Sequence, residues 1–195
     1  MPLSLVFATN NQHKLQEVAA KVGDRLQLLS LTDIDCHDDI AETGLTFREN
    51  ASIKSHHVFN KYGLNCFGDD SGLEIYALNN EPGVFSARYA GQHGDHEANM
   101  NKVLQKLEIF EDRRAQFRTV ISLLWNGEEH FFEGIVEGHI RRERAGLGGF
   151  GYDPIFEPLG YDVTFAQMTM EQKNAISHRA IAMEKLITFL KEQVG

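Results

Sequence analysis

Asp69 and Asp70 stand side by side between two short apolar runs, Cys66-Phe67 and Leu73-Glu74-Ile75-Tyr76-Ala77-Leu78. The pattern predicts a strand, an acidic corner turning at Ser71-Gly72, and a second strand. Like charges this close repel, so at least one of the carboxylates needs neutralising. A Mg²⁺ ion does this directly, because hard cations take oxygen ligands and are held by one or two carboxylates together with substrate phosphates. A solvated acidic turn accounts for the same residues, and the short pattern alone does not separate the two readings.

Other residues offer charge for an anion. Thr9-Asn10-Asn11-Gln12-His13-Lys14 follows an apolar run at residues 3–8 and opens a helical pattern in which Leu15, Val18, Ala19 and Val22 share one face and Gly23 closes it. With Asn10 or Asn11 as N-cap, the turn sits at a helix N-terminus, whose unpaired N–H groups and positive dipole end suit an anion; Lys14 adds a formal charge. An ordinary capped helix with a surface lysine is the plainer alternative, and the turn lacks the glycines of a Walker A loop. Thr46-Phe47-Arg48-Glu49 is a capping box opening a helix that runs to Tyr62 before Gly63, with Phe47, Ala51, Val58 and Tyr62 on its buried face. Lys54 falls close to that face and must either snorkel or meet a phosphate or the Asp69/Asp70 pair. In Gly146-Leu147-Gly148-Gly149-Phe150-Gly151-Tyr152-Asp153, the glycines permit close backbone approach and two aromatics share the loop, as a phosphate or planar ring would require. Lys173, His178 and Arg179 gather donors at the start of a closing helix whose core face is Ala180, Met183, Leu186, Ile187, Leu190 and Val194; ordinary surface charge is the alternative.

The remaining elements frame these groups. Residues 26–31 read as a strand, residues 32–43 as an acidic loop, and Asp95 as the cap of a helix reaching Phe110. Asn126-Gly127 between two long strand-like runs predicts a type I′ hairpin, expected to protrude as an antiparallel arm and offer a dimer surface. His93 and His96 read as surface histidines. A length of 195 residues fits one domain, residues 1–195, with two lobes. The net charge of −9 argues against a broad nucleic-acid-binding face. Two cysteines without a paired motif suit a reducing, cytoplasmic setting, and no apolar run is long enough to span a bilayer.

Several blocks in order resemble the inosine triphosphate pyrophosphatase (Ham1-like) family. They are Thr9-Asn10-Asn11 with Lys14 and Glu17; Glu42-Thr43-Gly44, Thr46-Phe47, Glu49-Asn50-Ala51 and Lys54; Asp69-Asp70-Ser71-Gly72-Leu73; Pro82-Gly83-Val84 and Ser86-Ala87-Arg88-Tyr89-Ala90-Gly91; Gly149-Phe150-Gly151-Tyr152-Asp153-Pro154-Ile155-Phe156; and Lys173-Asn174 with Ser177-His178-Arg179. The resemblance implies an α/β fold, an elongated mixed sheet with flanking helices and two lobes around a central active-site cleft, usually as a homodimer. It implies Mg²⁺-dependent hydrolysis of ITP, dITP and XTP to the monophosphate and pyrophosphate, which clears aberrant purine nucleotides from the pool. By the same resemblance Asp70 is the proton acceptor and a metal ligand, and Glu42 is the second metal carboxylate. Lys54 is catalytic with Asp70 and, together with Thr9, Asn10, Asn11, Gln12, His13 and Lys14, holds the triphosphate. Ser71, Phe150, Gly151, Tyr152, Asp153, Lys173, His178 and Arg179 contact the substrate. The chain departs from the pattern at His13, where many members carry glycine, and at Gln167-Met168, where an acid is frequent. A Maf-like pyrophosphatase for other modified nucleotides and a nucleotide-sensing module are the alternatives. The Phe-Gly-Tyr-Asp and Ser-His-Arg blocks argue against the first, and the acidic pair beside phosphate-binding groups argues against the second.

Overall fold

The computed structural model describes residues 3–194. Its sheet is mixed: strands β1 (Ser4–Phe7), β2 (Gln27–Leu29), β3 (Cys66–Ile75), β4 (Glu81–Pro82), β5 (Arg114–Trp125), β6 (Glu128–Ile140) and β7 (Phe156–Pro158) take the order β2-β1-β3-β5-β6-β7, with β4 on β3. β1 runs parallel to both β2 and β3, with Val6 opposite Leu29 and Cys66, whereas β3–β4 and β6–β7 are antiparallel. The helices are α1 (Gln12–Val22), α2 (Phe47–Tyr62), α3 (His96–Lys106), α4 (Met170–Ile176) and α5 (His178–Val194).

The chemistry of the helix ends sets these bounds. The Asn11 side chain accepts from the Lys14 N–H at 3.1 Å and Gly23, at φ 52°, closes α1. Thr46 and Glu49 form the reciprocal capping box of α2, which Gly63 ends in a left-handed conformation. Asp95 caps α3. A second capping box, Thr169 with Gln172, opens α4. The closing helical segment is broken at Ser177, which is extended, so α4 and α5 are separate helices.

The chain divides into two compact units. The first comprises Met1–Asp70, Thr119–Gly134 and His178–Gly195, and the second Ser71–Arg118 and Ile135–Ser177. In the first unit, α1 packs against α5, and Phe7 and Phe67 stack with ring centroids 4.4 Å apart among Val18, Val22, Met183, Leu186 and Leu190. A second cluster in that unit joins Val58 of α2 to Val6, Cys66 and Leu124. In the second unit, Leu73, Ile75, Met100, Val103, Phe117, Phe156 and Phe165 form the core. The predicted core face of the last helix is buried from Ala180 to Leu190, while the Val194 side chain lies outside the described residues.

Two expectations are corrected. The Asn126-Gly127 turn forms, with both residues at positive φ, but the hairpin is no protruding arm: β5 lies inside the sheet between β3 and β6. Its near-continuous burial from Phe117 to Trp125, broken at Arg118, is the sequence signature of a central strand. Nor does the chain turn at Ser71-Gly72. β3 runs straight through both aspartates to Ile75.

Candidate active site

That continuous strand decides how the two aspartates behave. Side chains alternate faces along a strand. Phe67 and Asp69 therefore face α1 and α5, while Cys66, Gly68 and Asp70 face α2. Adjacent in sequence, the carboxylates are served by different neighbours. Asp69 Oδ1 accepts from Lys14 Nζ at 2.8 Å, and its Oδ2 from Arg179 Nε at 3.2 Å. Arg179 also pairs with Glu17 of α1. Asp70 Oδ2 accepts from Asn50 Nδ2 at 2.9 Å. Lys54, one helical turn beyond Asn50, pairs with Glu42.

Missing side chains bring these elements together. A Cβ on Gly68 would lie 2.5 Å from the Ala51 carbonyl oxygen and 2.8 Å from Lys54 Cβ, so glycine here lets α2 lie directly on β3 and sets Asn50 and Lys54 beside Asp70. On β6, a Cβ on Gly134 would lie 2.7 Å from the Ala182 N and would collide with the His178 carbonyl oxygen. Glycine there seats the first turn of α5, which carries Arg179 to Asp69.

The electrostatics differ sharply between the two carboxylates. Burial pushes Asp69 up, but Lys14, Arg179 and Lys54 outweigh it and hold the carboxyl well below its usual range. Burial dominates at Asp70 and lifts it to about 6, with Glu42 adding to the rise and Lys54, Lys14 and the Asn50 hydrogen bond opposing it. Asp70 is raised first by desolvation. Burial lowers Lys54, yet Asp69, Asp70 and Glu42 raise it overall, so it stays an ammonium. For Lys14 burial prevails and the net shift is downward. Burial raises Glu42, but attraction to Lys54 and its hydrogen bond prevail and hold the carboxyl low. The result is one buried carboxylate poised near neutrality beside the Lys54 ammonium. This arrangement suits proton abstraction beside a polyanion.

The other sequence-derived residues fall as follows. Thr9, Asn10, Asn11, Gln12 and His13 form the turn into α1 and its first residues. Thr9 Oγ1 accepts from the Asn11 N–H at 3.1 Å, and residues 10–13 are exposed. His178 begins α5 and is buried in the first unit. In the second unit, Asp153 Oδ2 accepts from Lys173 Nζ at 2.7 Å and from the Phe150 N–H at 2.8 Å. The Lys173 ammonium stands 5.0 Å from the Phe150 ring centroid, and the Tyr152 hydroxyl donates to the Ser86 carbonyl at 2.7 Å. Asp153 therefore fastens the glycine loop to α4, and Gly149, at φ +68°, leaves room for its carboxylate. Ser71 and Gly151 are half-buried in the same unit. Lys173 is held by Asp153 within the second unit, whereas His178 and Arg179 belong to the first.

Two contributors stood in the family blocks without being given a role from sequence. Asn50 donates to Asp70 and accepts from the Gly44 N–H at 2.8 Å, tying the segment after Glu42 to the site; its signal is a polar residue on the buried stripe of α2, one turn before Lys54. Glu17 is buried on α1 against Arg179; its signals are its place in the first family block and its position as a lone acid between Leu15 and Val18.

Residues 5–189 match the Ham1 family model. The chain belongs to the Ham1 family. It is similar to the dITP/XTP pyrophosphatase of Flavobacterium psychrophilum, 49% identical over 97% of this chain and 100% of that protein. Among solved structures, the Ham1 protein of Staphylococcus aureus superposes with a TM-score of 0.88 at 43% identity, covering 97% of this chain and 99% of that one. A HAM1 protein from Coxiella burnetii gives 0.89 at 43% identity over the same shares. The mixed sheet with flanking helices is therefore the Ham1 fold.

Proposed function

We propose that this Ham1 protein hydrolyses noncanonical purine nucleoside triphosphates, namely ITP, dITP and XTP, to the monophosphate and pyrophosphate. The observation that carries the mechanism is Asp70, a buried carboxylate lifted to about 6 beside the Lys54 ammonium. Its carboxylate takes the proton of a water that attacks the α-phosphorus, and the α–β phosphoanhydride bond breaks with pyrophosphate leaving. Asn50 fixes the Asp70 carboxylate by donating to Oδ2. Lys54 and Lys14 supply positive charge toward the triphosphate, with the residue 9–14 turn adding N–H groups at the start of α1. Lys14 and Arg179 keep Asp69 ionised and so keep that side of β3 electrically balanced. Phe150, Gly151, Tyr152, Asp153, Ser71, Lys173, His178 and Arg179 are assigned to substrate binding by the family pattern, with Phe150 as the ring to stack on the base.

Asp70 and Glu42 fit a hard dication: both are oxygen donors, and Glu42 raises Asp70, a repulsion that a cation relieves. When bound, Mg²⁺ neutralises charge developing on the phosphate oxygens. A homodimer and a cytoplasmic location complete the proposal. Among the described residues no helix is long and apolar enough to cross a membrane.

The test is hydrolysis of ITP, XTP, GTP and ATP with and without Mg²⁺, assaying pyrophosphate and phosphate separately. Metal-dependent pyrophosphate release from ITP and XTP, with little from ATP or GTP, is expected. Release of single phosphates, or equal turnover of ATP, overturns the reading.

A further inference from the structure

A second group of ligating side chains lies away from Asp70, on the far part of α2. Cys36 Sγ, a carboxylate oxygen of Asp38 and a ring nitrogen of His57 lie within 4.8 Å of one another. Cys36 is buried, its Sγ standing 4.0 Å from Asp38 Oδ2. His57 Nε2 is 2.7 Å from the same oxygen, and both of these side chains are about one-third exposed. The group is therefore closed on the sulfur side and open to solvent on the other. Lys61, one turn beyond His57, reaches Asp38 Oδ2 at 2.5 Å with its own side chain 47% exposed, so it can swing into water without being buried uncompensated.

We infer that Cys36, Asp38 and His57 form a binding site for a borderline-soft divalent cation of the zinc class, separate from the hard-oxygen pair Asp70 and Glu42. The donor set decides the class: sulfur, imidazole and one carboxylate oxygen suit tetrahedral zinc, with the exposed side left for a water, whereas Mg²⁺ does not select thiolate. On binding, the Cys36 thiol loses its proton to solvent, and the hydrogen shared by His57 Nε2 and Asp38 passes through solvent exchange to His57 Nδ1, leaving Nε2 and the carboxylate for the metal. Thiolate and carboxylate together neutralise the dication, and the Lys61 ammonium is released. Because Cys36 and Asp38 belong to the segment that continues to Glu42 while His57 belongs to α2, the metal ties that segment to the helix carrying Asn50 and Lys54. It acts as a clamp on the site's approach and takes no part in the reaction.

The test is titration of the whole protein with Co²⁺ in excess Mg²⁺, following the near-ultraviolet thiolate-to-cobalt charge-transfer band, with Zn²⁺ then competed against a chromophoric chelator. A one-to-one band is expected, absent in Cys36→Ser and present in Asp70→Asn, which separates this site from the catalytic one. The His57→Gln variant, at a partly exposed position, keeps the thiol and should weaken Zn²⁺ by at least about tenfold. No band in the wild-type protein, unchanged affinity in His57→Gln, or loss of the band in Asp70→Asn each overturns the assignment. None of these readouts depends on turnover, so the site stands or falls independently of the proposed hydrolysis.

Discussion

Asp70→Asn should inactivate the enzyme and stabilise its fold. The Asp70 carboxyl sits at about 6 in the native protein, against an ordinary value of 3.8. For an acid raised on folding, the native state binds more protons than the unfolded chain between these values, so stability falls as pH rises through that window and the full penalty is present at pH 7 and above. A shift of about two units corresponds to roughly 3 kcal/mol at most. Asparagine removes the buried charge, keeps the shape and retains a carbonyl oxygen for the Asn50 donor. Lys54 and Lys14 lose an attraction, which reduces the gain, so we expect about 1–3 kcal/mol, or a Tm several degrees higher. The assay is thermal or urea unfolding in chelator at pH 8, where bound metal does not mask the effect, and again at pH 4.5, where the wild-type group is mostly protonated and the difference should shrink. Turnover should fall by about 10²-fold or more. A lower Tm at pH 8, a gain that does not shrink in acid, or retained turnover would refute the reasoning.

Lys54→Met, which keeps the stem but deletes the charge, should cut turnover and leave Glu42 and Asp70 to repel; its pH–rate profile should lose its acid limb to higher pH, as Asp70 rises further. Gly68→Ala forces a methyl against the Ala51 carbonyl and Lys54 Cβ, and a loss of about 1–3 kcal/mol together with most activity should appear in urea melts and steady-state rates. Arg179→Met leaves Glu17 and Asp69 buried without their guanidinium and should destabilise by about 3–5 kcal/mol, partly recovered when Glu17→Gln is added. Because the Asp69 carboxyl is held below its usual range in the fold, its contribution is full at neutral pH and is lost as pH falls through that depressed value. Asp69→Asn should therefore flatten the acid side of the stability curve.

Helix ends were the most legible part of the chain. Asn11, Gly23, Thr46, Glu49, Gly63, Asp95 and Thr169 all do locally what their chemistry dictates, since a cap depends only on residues within a turn. Asn126-Gly127 marked its hairpin for the same reason. What failed was the placement of that hairpin, because whether a strand is central or at an edge depends on partners far along the chain. The acidic corner failed for a related reason: Ser-Gly reads as a turn, yet cross-strand pairing on β3 overrides local preference. Asp70 was found by its type and context. Its charge balance was not, because the influences that set it come from Asn50, Lys54, Lys14 and Glu42, which no local window contains.

Arg179 lies 110 residues along the chain from Asp69 and 162 from Glu17. Translation supplies these groups in a fixed order: Glu17 first, then Asp69, and only then the guanidinium that holds both. At about 5–20 residues per second, the carboxylates wait for seconds before α5 leaves the ribosome. A chain released early therefore keeps the Lys14–Asp69 pair but lacks the guanidinium that holds Glu17 of α1 beside Asp69. Products truncated before α5 should be both inactive and easily degraded, so the proposed catalytic centre is complete only once α5 has been made.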